Sequence, residues 1–170
     1  SITDANLDSG FPLKSGESGT FSITFWYKAE SFGTKRGLIS KYDYNITSTR
    51  SLLLRDNNGT LEYYIGLSSS PYYETLDTSL SLSTGVWYHI GLTFNNTTKA
   101  WKLRVWDDTA GSVVLNAGDT DDTGSVTAAN NINITDAPFA IGAAFNNGSP
   151  SNFIDGLIDE VFVSRDILTT

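Results

Sequence analysis

Two stretches constrain this chain more than any others, because both follow a period that suits a half-buried strand. In "TFSITFWYK", Phe21, Ile23, Phe25 and Tyr27 alternate with Ser22, Thr24, Trp26 and Lys28. In "VWYHIGLTF", Tyr88, Ile90, Leu92 and Phe94 alternate with Trp87, His89, Gly91 and Thr93. Successive strand side chains point to opposite faces, so each stretch carries one apolar face and one mixed face. A helix would need apolar residues at i, i+3, i+4 and i+7. Asn, Gly, Ser and Thr interrupt every candidate window.

Other short runs follow the same logic. "SLLLRD", the turn "NNGT" and "LEYYIGL" read as a hairpin. "NNTTK" turns the chain into "AWKLRVWD", and "NAGDTDDTGSVTAANN" reads as a loop. "APFAIGAAF" and "GLIDEVFVS" complete the set. Short strands with frequent turns and no internal repeat predict an all-β jelly-roll β-sandwich of two antiparallel sheets. With 170 residues and 39% apolar content, residues 1–170 are expected to form one domain. A domain of that size buries roughly 70% of its unfolded surface and needs no staples.

Composition narrows the function. There is no Cys, which excludes disulfides and thiolate metal sites, and no Met, so the chain is expected to be processed or a piece of something longer. The net charge is -8, and the 11 Lys and Arg are scattered. Phosphate recognition needs clustered cations, so nucleic acid and anionic membranes are not expected partners. No stretch approaches the ~20 apolar residues of a membrane span. The acidic, Ser-, Thr-, Asn- and Gly-rich composition suits an extracellular or secreted protein, with the surface of a cell or virion included.

Taken in order, "FSITFWYKAE", "GLISKYD", "GVWYHIGLTF", "FAIGAAF" and "FIDGLIDEVFVSRDIL" resemble the laminin-G-like domains of the concanavalin A-like lectin/glucanase superfamily. The resemblance runs from about residue 21 to 168 and implies a concanavalin A-like sandwich. Because the superfamily includes glucanases, the carboxylates matter. A glycosidase needs two of them about 5–9.5 Å apart. On a straight strand, Asp159 and Glu160 face opposite ways, and Asp155 and Asp159 stand about 13 Å apart. The family's E-x-D-x-(x)-E pattern is absent. His89 is the single His, so zinc chemistry is not expected, and its place mid-strand beside Trp87 reads as structural.

Calcium is the cofactor to consider, because it takes six to eight oxygens from carboxylates, carbonyls and water. Asp159 alternates with Leu157, Val161 and Val163, an apolar face on which a carboxylate needs a cation or hydrogen bonds. Both remain open from the residues. The resemblance implies a structural calcium on an acidic residue of the last strand, and Asp159 is the matching position. Asp155 and Glu160 read as solvated or turn-forming. The pentraxin branch further implies rim loops that bind ligand, matched by "KYDYNIT" (Asp43, Asn45) and "AAFNNGSPSN" (Asn146, Asn147).

Sugar recognition needs flat aromatic faces with hydrogen-bonding groups beside them. Tyr72 and Tyr73, in the loop "SSSPYYETLD", and Trp106, alternating with Lys102 and Arg104, are the rings expected to face outward. The sequence therefore reads as a non-catalytic, lectin-like module that recognises a glycan or glycosylated surface through rim loops and exposed aromatics. The alternative is a protein-binding adhesion or assembly module, such as an accessory domain of a larger secreted enzyme or viral fibre.

Overall fold

The computed structural model describes residues 1–70, 72–77, 80–118 and 131–168. Most of the Asp-, Gly- and Thr-rich stretch read as a loop lies outside them. The described chain is all-β. Its strands are β1 (Phe21–Ala29), β2 (Arg36–Lys41), β3 (Leu52–Asn57), β4 (Thr60–Gly66), β5 (Tyr73–Asp77), β6 (Tyr88–Phe94), β7 (Trp101–Asp107), β8 (Ser112–Gly118), β9 (Ala140–Ile141), β10 (Ala144–Asn146), β11 (Ser149–Ser151) and β12 (Gly156–Ser164).

One five-stranded sheet has the order β12-β1-β6-β7-β8 and the other β5-β4-β3-β2-β9, with β10 and β11 forming a separate ribbon. All pairings within the sheets are antiparallel. The two sheets enclose the core as a sandwich. The first contributes Phe21, Ile23, Phe25 and Tyr27 from β1, Tyr88, Ile90, Leu92 and Phe94 from β6, and Trp101, Leu103 and Val105 from β7. The second contributes Leu52 and Leu54 from β3 and Leu61, Tyr63 and Ile65 from β4. Burial of these alternating residues supplies the main driving force, roughly 1.5–3 kcal/mol for each large side chain.

The alternation in β1 and β6 is as the sequence dictates, but three readings change. "SVVLNAG" is a strand, β8, which overlaps the start of the expected loop. Tyr73 opens strand β5 rather than sitting in a loop. "APFAIGAAF" does not form one strand: it breaks at Gly142, whose φ of +74° is unsuited to an extended strand.

Buried polar groups hold the edges of the sandwich. The Lys41 ammonium, fully enclosed, donates to Asp4 Oδ1 (2.7 Å), the Thr135 carbonyl (2.7 Å) and the Ala137 carbonyl (2.5 Å). All three of its protons are used, and the N-terminal segment is pinned to β2. Ser22 Oγ donates to the Asp166 carbonyl and accepts the Leu168 N–H, which fastens the segment after β12 across β1. Gly66 allows β4 to pass close to the loop before β3, since a Cβ there would fall 2.0 Å from the Arg50 carbonyl oxygen.

Candidate functional site

The mixed faces of β1, β6 and β7 form the outer surface of the first sheet. Register places Trp26 opposite His89 and His89 opposite Trp106, while Thr24, Gly91 and Arg104 make the adjacent row. Three distant pieces of sequence thus build two short cross-strand rows. With Val113 of β8 they line a cavity of about 520 Å³. Trp106 is 38% exposed, and the Trp26 and His89 rings lie 5.0 Å apart, tilted. Burial pulls the His89 pKa below its usual 6.5, with Glu160 opposing the shift, so the imidazole at the centre of the row is neutral at pH 7.

Gly91 forms the open floor between Thr24 and Arg104. Its backbone is not left-handed, and a Cβ there would meet nothing closer than Arg104 O and Thr24 Cγ2, both at 3.9 Å. Neither conformation nor crowding requires glycine at this position. A glycine inside a strand weakens the strand, and such positions often mark the close approach of a ligand. Arg104 also lines the cavity, and its guanidinium has no hydrogen bond, ion pair or ring contact among the described residues.

A smaller cavity of about 290 Å³ adjoins the first across Trp26 and is lined by Trp87, Asp108, Asp159 and Glu160. Trp26 and Trp87 meet edge to face at 6.5 Å, and the Lys28 ammonium sits 5.0 Å over the Trp87 ring. This corrects the straight-strand reading of the last strand. Between Trp26 and Thr24, β12 carries two residues, Glu160 and Val161, where β1 carries only Phe25. Glu160 takes a φ of +50° in this bulge, so Ile158, Val161 and Val163 pack on the core while Asp159 is exposed. Asp159 therefore does not share a face with Val161 and Val163, and Asp159 and Glu160 border one cavity rather than facing opposite ways. Asp155 stays outside: it accepts a hydrogen bond from Ser31 Oγ (2.5 Å) and lies 3.9 Å from Arg36.

Asp159 has one oxygen engaged by the Glu160 N–H, and no group of three or more His, Asp or Glu residues converges on a metal position among the described residues. Asp43 is only 3% exposed, and it receives N–H groups from Asn45 (2.8 Å), Ile46 (3.2 Å), Asn147 (3.1 Å) and Gly148 (2.7 Å). Backbone donors converge where a cation would need acceptors. Asp43 is a clasp between the two rim loops, which do meet: Asn45 Nδ2 donates to Asn146 Oδ1 at 2.5 Å.

Tyr72 is half-exposed with a φ of +67°, a conformation that is costly for a bulky residue. It lines a groove of about 640 Å³ and mixed character with Asn45, Ile46, Ser48, Leu67, Ser68 and Asn133. Tyr73 is also exposed, with the Arg50 guanidinium 5.4 Å over its ring. Asn146 and Asn147 are exposed at the neighbouring loop. Of the expected residues, the structure brings together Asp43, Asn45, Asn146 and Asn147. Tyr72 shares its groove with Asn45. Trp106 belongs to the separate sheet face. There Thr24, Trp26, His89, Gly91, Arg104 and Val113 join it; none of them is a binding residue in the sequence reading, which takes His89 as structural. The available signal was that the mixed faces of β1, β6 and β7 each carry an aromatic ring.

No curated protein sequence matches the chain. Solved structures do. The carbohydrate-binding module CBM40 of the Ruminococcus gnavus IT-sialidase, bound to α2,3-sialyllactose, is 20% identical, with a TM-score of 0.65 over 95% of this chain and 88% of that one. The leech intramolecular trans-sialidase is 16% identical, with a TM-score of 0.61 over 88% of this chain and 22% of that one. Domain 4 of AbnA, an extracellular arabinanase of Geobacillus stearothermophilus in complex with arabinotriose, is 19% identical, with a TM-score of 0.52 over 85% and 59%. At such identities the likeness is one of fold. The Laminin_G_3 family model, described as concanavalin A-like lectin/glucanases superfamily, matches residues 4–170, and the chain belongs to that family.

Proposed function

We propose that this domain binds carbohydrate on the outer face of its first sheet, without catalysing a reaction on it. The observation that carries this reading is the row Trp26–His89–Trp106 beside the unfilled floor at Gly91. Indole faces pack against the C–H faces of sugar rings, while Thr24, His89 and Arg104 offer hydrogen-bonding groups at their edges. The carbohydrate-bound state of two of the structural neighbours supports the reading by analogy of fold. Asp159 and Glu160 are exposed, unlike the enclosed carboxyl group of a general acid. A secreted or surface-displayed module is the setting we assign, by analogy of fold with the domain of the extracellular arabinanase.

The test is a glycan array on the intact chain, repeated with Trp106→Ala and Trp26→Ala after thermal melting confirms that both fold. Binding by the parent that falls at least about tenfold in both variants, ~1.4 kcal/mol, supports the reading. Binding that survives both but is lost in Tyr72→Ala moves the site to the rim groove. Absence of any glycan binding refutes it.

A second reading has its own observation. On the second sheet and its adjoining loops, Arg50 stacks over Tyr42 and Tyr73, and Arg55 over Tyr44 and Tyr64. Tyr and Arg are enriched at protein-binding hot spots. A protein partner lost on Tyr73→Ala but retained on Trp106→Ala would favour an assembly module.

A further inference from the structure

We propose, resting on the carbohydrate reading above, that the preferred glycan carries a single negative charge, seated on Arg104, and that the same trough turns polyanions away. Of the five arginines, only Arg104 and the exposed Arg165 have no hydrogen bond or ion pair among the described residues. Arg36 donates to Ser31, Arg50 to the Tyr44 carbonyl, and Arg55 to Glu62 and Tyr64. Arg104 lines a largely apolar cavity with no such partner among the described residues. A guanidinium presents a planar fork of donors that suits a carboxylate or a sulfate ester, and two parallel N–H···O bonds give geometry as well as attraction. Lys102, two residues earlier on the same strand face, adds to the positive potential at this end. The open floor at Gly91 lets a sugar ring lie low enough for its acidic group to reach across to the guanidinium.

The other end of the trough has the opposite character. Asp108, Asp159 and Glu160 border the Trp26–Trp87 cavity, and the nearby cation Lys28 is drawn onto the Trp87 ring. The whole chain also carries a net charge of -8. A second acidic unit, one or two sugars along from the first, would stand among three carboxylates. A neutral unit there would stack on indole and give its hydroxyl protons to those same carboxylates. Attraction at one end and repulsion at the other fix the direction in which an oligosaccharide lies. The acidic unit sits at Arg104, and neutral sugars run over Trp26 towards Trp87.

The experiment is an array of matched glycans probed with the full chain. It holds neutral oligosaccharides, the same ones bearing one sialic or uronic acid, the same ones bearing one sulfate ester, and the polyanions heparin and polysialic acid. Singly charged members are expected to bind about tenfold or more above their neutral partners and above both polyanions. The carboxylate and sulfate arms show which acid the fork takes. Arg104→Gln is expected to remove that preference, so that acidic and neutral members bind alike when both are measured on the variant. The double change Asp108→Asn with Asp159→Asn is expected to raise heparin binding. Equal binding of neutral and acidic members, strongest binding of heparin, or an acid preference that survives Arg104→Gln would each overturn the proposal. Binding of neutral glycans alone would sink it and leave the carbohydrate reading standing. Binding of no glycan would end both.

Discussion

Replacing Gly91 with alanine or valine should make the protein more stable and a worse binder at once. Glycine inside a strand costs about 0.5–1 kcal/mol relative to alanine, through backbone entropy lost on folding. At Gly91 nothing offsets that cost in the fold itself. The backbone is not left-handed, and the nearest atoms to an added Cβ stand at 3.9 Å, ordinary contact distance. Alanine should therefore recover roughly 0.5–1 kcal/mol, a rise of about 1–4 °C in Tm for a domain of this size. Valine, favoured in strands, should do at least as well. Its methyl groups would project into the cavity between Thr24 and Arg104 and lift any ring lying there off the floor. Calorimetric melting measures the first effect, and titration with the best glycan from the array measures the second. Binding should weaken by about tenfold or more for valine, ~1.4 kcal/mol, and by less for alanine. A fall in Tm would show that the space at Gly91 is misjudged. A rise in Tm with unchanged affinity would show that no ligand uses the floor, and would remove the main reason for placing the site on this face.

Other outcomes follow from single groups. The Tyr63 hydroxyl is buried without a hydrogen-bond partner among the described residues, so Tyr63→Phe should be neutral or stabilising by about 1 kcal/mol in denaturant melts; a loss of stability would reveal a hidden partner. Asp4→Ala strands the enclosed Lys41 ammonium and should cost roughly 3 kcal/mol, or about 6–12 °C in Tm; a change under 1 °C would mean that the two carbonyls suffice. His89 is held below pKa 6.5 mainly by burial, so the folded state binds this proton more weakly than the unfolded chain. Stability from this group should fall as pH drops from 6.5 through the folded pKa, while affinity for a singly charged acidic glycan should rise over the same window. His89→Gln should abolish both trends, and their persistence would assign them to another group. Because Asp43 is saturated by N–H donors and Asp159 stands exposed, Tm should be the same in millimolar calcium and in EDTA; a clear rise in calcium would restore the ion.

The alternation Phe21–Ile23–Phe25–Tyr27 against Thr24–Trp26–Lys28 was legible because period two is a local property, and burial of one face enforces it. The meeting of the rim loops was legible only through family resemblance, and its chemistry was not. That Asp43 collects four backbone N–H groups depends on loop conformations that no spacing encodes. The face that Asp159 takes is not legible in the sequence, because period-two alternation holds only along a regular strand. A single extra residue at Glu160 reverses which face the following side chains take, and nothing in "LIDEVF" announces it.

The sheet-face site is the more instructive case. Trp26, His89, Gly91, Arg104 and Trp106 could each be assigned to a non-core face from sequence, yet none is informative alone. An outward Trp is ordinary, and so is a mid-strand His. What makes them a site is that β1, β6 and β7 are neighbours and are registered so that Trp26, His89 and Trp106 fall in one row. Strand order and register come from long-range pairing, and β6 follows β1 only after four strands that belong to the other sheet. Periodicity can say which residues leave the core. Only the pairing says which of them meet, and a binding face on a sheet is made of residues that meet.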